Sequence, residues 1–206
     1  MSKLKSIENI QVIPYEGIGR IKLGLTELQI KNIIKTHYSN KKVNNDIVSA
    51  PFFEVEYNEQ GEAIYIELAR DDSNKDLYPT LFKGIDIFNT KAKDLIPQIT
   101  KYYEYNSNDI NLGYSYVFPA IDLALWRPSI FEEEDKQEDW FKGMCQESQQ
   151  FEIRHMYFCF VAVAIKDYYS SAENNEDIMN LGSNKSYCEL KESADHIAIK
   201  YNLQKP

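Results

Sequence analysis

Residues 130–140 read IFEEEDKQEDW, and six of these eleven positions are carboxylates. Glu132, Glu133, Glu134, Asp135, Glu138 and Asp139 crowd like charges into one short segment, where they repel one another and set up a strong local field. Such a segment can be a solvated loop, or an anionic surface that steers and holds something cationic. The charges alone fit the loop. The flanks fit the surface: Trp126, Ile130, Phe131, Trp140 and Phe141 bracket the acids, and tryptophan is among the residues that dominate binding energy at protein interfaces. Acids at this density speed encounter by about an order of magnitude or more at low salt, an advantage that fades beyond a Debye length of about 8 Å at physiological ionic strength.

Other chemistry has less to build on. Glu54, Glu56, Glu59, Glu62 and Glu67 are close enough in sequence for a pair of carboxyls about 5 to 10 Å apart, as glycoside hydrolysis needs. Alternation nevertheless puts Glu54 and Glu56 on the polar face of a strand, where solvation accounts for them. His37, His155 and His196 are far apart and lack a carboxylate or thiol at a catalytic spacing; His155, beside Arg154, could meet a partner or an anion if it points out of a sheet. There is no GxSxG, HExxH, GxxxxGK[ST] or GxGxxG, and GIGR at 17–20 reads as a two-glycine turn. Cys145, Cys159 and Cys188 are odd in number and widely spaced, with no CxxC, which argues for reduced thiols, no zinc site and a cytoplasmic protein. The expectation is a protein with no catalytic residue, no metal and no cofactor.

Composition narrows the partners. The 23 Lys and Arg against 32 Asp and Glu give a net charge of −9, which repels phosphate backbones and excludes direct nucleic-acid binding. No apolar run approaches the roughly 20 residues that span a bilayer, and MSKLKSIENIQVIPY lacks the apolar core and cleavage site of a signal peptide. With 43% apolar and 13% aromatic residues, including 15 Tyr and 10 Phe, the chain can bury a tyrosine-rich core.

The elements that must position these residues follow from periodicity. In GRIKLGLTELQIKNIIKTHY, Ile21 and Leu23 alternate as a short strand. Thr26 and Gln29 then form a capping box, and Ile30, Ile33, Ile34 and His37 make a helical stripe. KGIDIFNTKAKDLIPQITKYY repeats the plan 64 residues later, with Ile85 and Ile87, Thr90 as cap, and Ala92, Leu95, Ile96, Ile99 and Tyr102 as the stripe. Pro97 requires that this second helix either kink or begin near the proline. FFEVEYNEQGEAIYIELAR is a hairpin. LGYSYVFPAIDLALWRP reads as another, turning at Phe118-Pro119-Ala120, with Asp122 and Trp126 opposite Ile121, Leu123 and Leu125. An apolar strand is expected at 151–167, loop and a helical turn from Ser170 to Ser186, and a last helix through Tyr187, Leu190, Ala194, Ile197 and Tyr201. These elements predict one α+β domain over 1–206: antiparallel sheet, helices packed on one face, weakly repeated halves at 15–70 and 81–131, and a C-terminal strand and helix within 151–202.

GRIKLGLTELQIKNII is similar to the strand-helix opening G-x-I-x-(apolar)-G-(M/L)-(T/S) of many small bacterial proteins, among them immunity proteins of polymorphic-toxin and contact-dependent growth inhibition systems. Members of these families often continue with a hairpin like FFEVEYNEQGEAIYIEL and a segment like LALWRPSIF, so the resemblance covers about residues 15–131; Pro97 and the acidic segment depart from it. It implies a cytoplasmic, non-enzymatic protein that binds and neutralises a toxin domain, commonly a nuclease with a basic active site. The contact residues on this reading are Trp126, Phe131, Glu132, Glu133, Glu134, Asp135, Glu138, Asp139 and Trp140. Two alternatives stand beside it: a small enzyme or ligand-binding domain with a site between sheet and helices, using Tyr57, Glu67, Asp122 or His155, and an oligomer subunit joined through Tyr-rich strands.

Overall fold

The computed structural model describes residues 8–43, 46–72 and 75–172. It is an α+β fold with two five-stranded sheets and a separate hairpin. The first sheet runs β3 (Ile21–Lys22), β2 (Gly17–Ile18), β1 (Ile10–Ile13), β8 (Thr80–Phe82), β9 (Ile85–Asp86). All its pairs are antiparallel except β1 with β8. The second sheet is wholly antiparallel, in the order β10 (Ser115–Phe118), β11 (Leu123–Trp126), β12 (Phe160–Ala164), β7 (Ala63–Ala69), β6 (Phe52–Tyr57). β4 (Lys41–Val43) and β5 (Asp46–Val48) form the small hairpin.

Strand β12 has to be apolar throughout because it lies at the centre of its sheet: all five residues are buried, and Phe160 to Val163 pair on both sides. Val161 aligns with Leu68 and Leu125, and Val163 with Ile66 and Leu123, so these rows face the core while Trp126 and Phe160 share the opposite face. The glycines at 17–20 answer to geometry. Gly19 takes φ +58, and a Cβ there would fall 2.4 Å from the Tyr38 hydroxyl, which in turn accepts the Arg20 amide.

Two longer helices close the core. α1 (Glu27–His37) starts at the expected capping box: Thr26 Oγ accepts the Gln29 amide at 3.4 Å, and Gln29 Oε1 accepts the Thr26 amide at 2.8 Å. α2 (Ala92–Thr100) begins five residues before Pro97 and continues through it. Its cap differs from the expected one. Lys91 holds the N-cap position, and the Thr90 hydroxyl donates instead to the Asp86 carbonyl at 2.6 Å. Ala92, Leu95, Ile96 and Ile99 are buried as the stripe requires, whereas Tyr102 falls beyond the helix and is exposed. Both helices contribute to one core with the inner face of the second sheet.

Strand pair, helix and hairpin occur twice in the chain: β2, β3, α1, then β6 and β7; and β8, β9, α2, then β10 and β11. In space, β1 sits between the first two strand pairs, and β12 between the two hairpins. Two expectations are corrected. The segment 151–156 is not strand: α4 (Gln146–Ile153) runs through it and ends in a 3-10 turn, Arg154–Met156, so the strand is confined to β12. Its polar half, QESQQ, favours a helix, and Phe151 meets His155 one turn on, with ring centroids 5.1 Å apart. Asp122 does not lie on an open strand face. A 3-10 turn, Pro119–Ile121, precedes it, and at φ 41 its carboxylate turns inward. α3 (Asp139–Lys142) and α5 (Tyr168–Ala172) are short. His196, Cys188 and the helix expected through Tyr187 and Tyr201 lie outside the described residues. No helix among the described residues is long and apolar enough to cross a membrane.

Candidate functional site

The acidic segment is built on Arg127. Its side chain is 4% exposed, and Nε donates to the Gly113 carbonyl at 2.8 Å, Nη1 to the His155 carbonyl at 2.8 Å, and Nη2 to Glu132 Oε1 at 3.3 Å. One guanidinium thus ties together the loop before β10, the start of the acidic segment and the turn before β12. Its plane also lies over the Phe158 ring, 5.8 Å from the centroid. Glu133 accepts from Lys136 at 2.6 Å and also pairs with Lys91 at the start of α2. These two ammonium groups, Lys136 first, hold its carboxyl down at about 2. Asp135 Oδ2 accepts the Glu132 amide at 2.7 Å, closing the turn.

Three of the six carboxylates are therefore engaged in holding the segment. The side chains of Glu134, Glu138 and Asp139 are exposed and have no partner among the described residues. Beside them, Phe131 is 1% exposed and packs on Phe141 and Met156 in a small second core, with Ile153 and Tyr157 around it. Trp140 stands edge-to-face with both Phe131 and Phe141, 6.1 and 5.8 Å between centroids, and is 48% exposed. Phe131 is thus the base and Trp140 the presented ring. Trp126 is elsewhere: it packs on Phe160 on the outer face of the second sheet, while Arg127 turns to the core side.

The chain matches no protein-family model, no curated protein and no solved structure. What it can do rests on its own geometry.

His155 stands apart from the other residues of the enzyme reading, whereas Glu67 and Asp122 both lie near Tyr169. His155 precedes β12 and Asp122 sits at the strand's far end, where its carbonyl accepts the Ala164 amide, a separation of about 15 Å at the rise of a strand. His155 is buried against Phe151, with Glu152 3.3 Å from Nδ1; burial lowers its pKa. Both Asp122 carboxylate oxygens are occupied, by the Asp167 amide at 2.9 Å and the Tyr169 amide at 3.0 Å. Glu67 accepts the Tyr65 hydroxyl at 2.7 Å, and Glu56 accepts that of Tyr168 at 2.8 Å, on the sheet face opposite Val55 and Ile66. Burial raises the pKa of both hydroxyls, so these are donors. Tyr57 belongs to the core side. A depression lined by Ile10, Leu68, Asp71, Lys75, Tyr78 and Thr80 has room for about one water molecule. Among the described residues no three His, Cys, Asp or Glu side chains form a metal-binding group. Cys159 is pushed up to about 11 by burial, which suppresses its thiolate.

Sequence reasoning missed Arg127 as the residue that organises this end of the molecule. The only signal was an arginine directly after the apolar run LALW, where a buried charge needs partners that arrive from distant segments.

Proposed function

We propose that the chain is a non-enzymatic immunity protein that binds a cognate toxin domain, a basic one such as a nuclease, in the cytoplasm and neutralises it by covering its cationic active-site surface. One observation carries this reading: a half-exposed tryptophan on a fixed aromatic base, beside three exposed carboxylates with no partner among the described residues. An exposed aromatic amid unpaired like charges gives the isolated chain little stability, whereas both are suited to a cationic partner. The contact set drawn from the sequence narrows accordingly to Glu134, Glu138, Asp139 and Trp140. Glu132, Glu133, Asp135 and Phe131 hold these in place, and Trp126 does not share the patch. The class of partner comes from the resemblance of residues 15–131 to immunity families.

The test is protection. The chain is co-expressed with a basic domain that is encoded by a neighbouring reading frame and is itself toxic to the cell, and growth is scored. The expected result is rescue by the wild type and loss of rescue by Trp140→Ala combined with E134Q, E138Q and D139N. A wild-type chain that neither protects nor binds that domain overturns the proposal.

A further inference from the structure

The geometry points to the loop at 106–114 as a second, apolar half of this docking surface, with Ile110 as the residue that anchors and selects the partner. This inference rests on the protein-binding reading above and names what a charged patch alone leaves open. Ile110 is 89% exposed, yet its loop is tightly organised. Asp109 is buried, its Oδ1 accepting the Asn111 amide at 2.8 Å and its Oδ2 the Ser115 hydroxyl at 2.7 Å. The Asn106 side chain accepts the Asn108 amide at 3.0 Å, and the Asn106 amide donates to Val117 of the edge strand at 2.8 Å. An apolar side chain on so constrained a loop is held out before any partner arrives, so little ordering entropy is lost on contact.

The loop is joined to the acidic segment. Arg127 binds the Gly113 carbonyl and Glu132 with the same guanidinium. Gly113 takes φ +94, and a Cβ there would lie 2.6 Å from Ile130 Cδ1, so the loop and the segment touch. Tyr114 and Ile130, each partly exposed, extend the apolar surface beside that contact, and Trp140 and Phe151 add to it at the same end of the molecule. Five of the ten large apolar side chains exposed among the described residues thus lie on segments that Arg127 holds or on rings packed against them, and Glu138 and Asp139 directly precede Trp140. An apolar surface of this kind marks a binding site. Its occupant is a basic protein with an apolar pocket beside its cationic surface. A second copy of this chain is disfavoured, because each copy carries −9 and would bring the same unpaired acids against its twin.

The experiment places a photo-crosslinking amino acid at position 110, at 140, or at Leu28 of α1, in the full chain expressed in its own cells. The protein crosslinked at 140 is then purified, and its binding to Ile110→Asp, Trp140→Ala and the E134Q, E138Q, D139N triple variant is followed kinetically. Crosslinks from 110 and 140 to the same basic protein, and none to it from 28, support the inference. So does an Ile110→Asp chain that dissociates about tenfold faster with association unchanged and an unaltered melting temperature, against a triple variant that mainly associates more slowly. If Ile110→Asp binds like the wild type while Trp140→Ala is weakened, the Ile110 anchor is wrong and the protein-binding reading stands. Crosslinks between two copies of this chain overturn the choice of occupant. No crosslink from 110 or 140 overturns the inference together with the reading beneath it.

Discussion

At the scale of single residues, Arg127 does what the acidic segment cannot do for itself. A guanidinium with 4% exposure is tolerated only because two backbone carbonyls and one carboxylate satisfy it. Arg127→Ala leaves the Gly113 and His155 carbonyls without their donor and Glu132 without its counter-ion, and should destabilise the protein by about 3 kcal/mol, measured by urea unfolding. Glu132→Gln keeps both carbonyl contacts and should cost below about 1 kcal/mol; an equal loss in the two variants would show that the ion pair, and not the carbonyl bonds, is the main contact. Glu133 gives a test by pH. Its folded pKa, about 2, lies below the ordinary carboxyl value, so its pairing with Lys136 and Lys91 is complete above the unfolded value and is lost as pH falls through about 2. The carboxyl carbon of Glu133 in an NMR titration should therefore move near pH 2, and in Lys136→Met its midpoint should rise; a wild-type midpoint in the ordinary carboxyl range would remove this pairing.

At the scale of elements, local signals were legible and long-range ones were not. Thr26 and Gln29 announced the start of α1 because a capping box depends on four consecutive residues and nothing else. Thr26→Ala should cost about 1 kcal/mol in urea unfolding and Gln29→Ala less, since each removes one direction of the box; no change in either would mean that packing of Ile30 alone fixes the helix start. The hairpin at 52–70 was readable for the same reason, its alternation and its turn being contiguous. Thr90 has the sequence of a cap and is not one: the N-cap position of α2 falls one residue later, on Lys91, and the Thr90 hydroxyl donates to the Asp86 carbonyl four residues back. Lys91 reaches Glu133 across 42 residues, and Arg127 draws in Gly113 and His155, so which acids are internal and which are free could not be read from a run of like charges. The split within IFEEEDKQEDW combines near partners, Arg127, Lys136 and the Glu132 amide, with distant ones, Lys91 on Glu133 and the carbonyls that hold Arg127 in place.

At the scale of the whole molecule, the two similar passes of the chain are stitched together by strands that belong to neither hairpin. β1 pairs in parallel with β8, and β12 joins β7 to β11, so both sheets contain segments from well-separated parts of the sequence. Such a fold rests on non-local contacts, and its surface charge is free to serve another purpose. Glu134, Glu138 and Asp139 illustrate this: with no partner among the described residues they add repulsion to a chain that already carries −9. Replacing them with Gln, Gln and Asn takes the net charge from −9 to −6 and breaks no contact among the described residues. The triple variant should unfold at the same urea concentration as the wild type or a slightly higher one, and the difference should shrink in about 1 M salt, where the Debye length is about 3 Å. The same variant is the one expected to associate slowly with a basic partner. Stability kept and association slowed would separate charge retained for binding from charge retained for folding. A triple variant that unfolds more easily than the wild type would mean that these acids have internal contacts after all, and with that the unpaired acidic patch would no longer support a binding role.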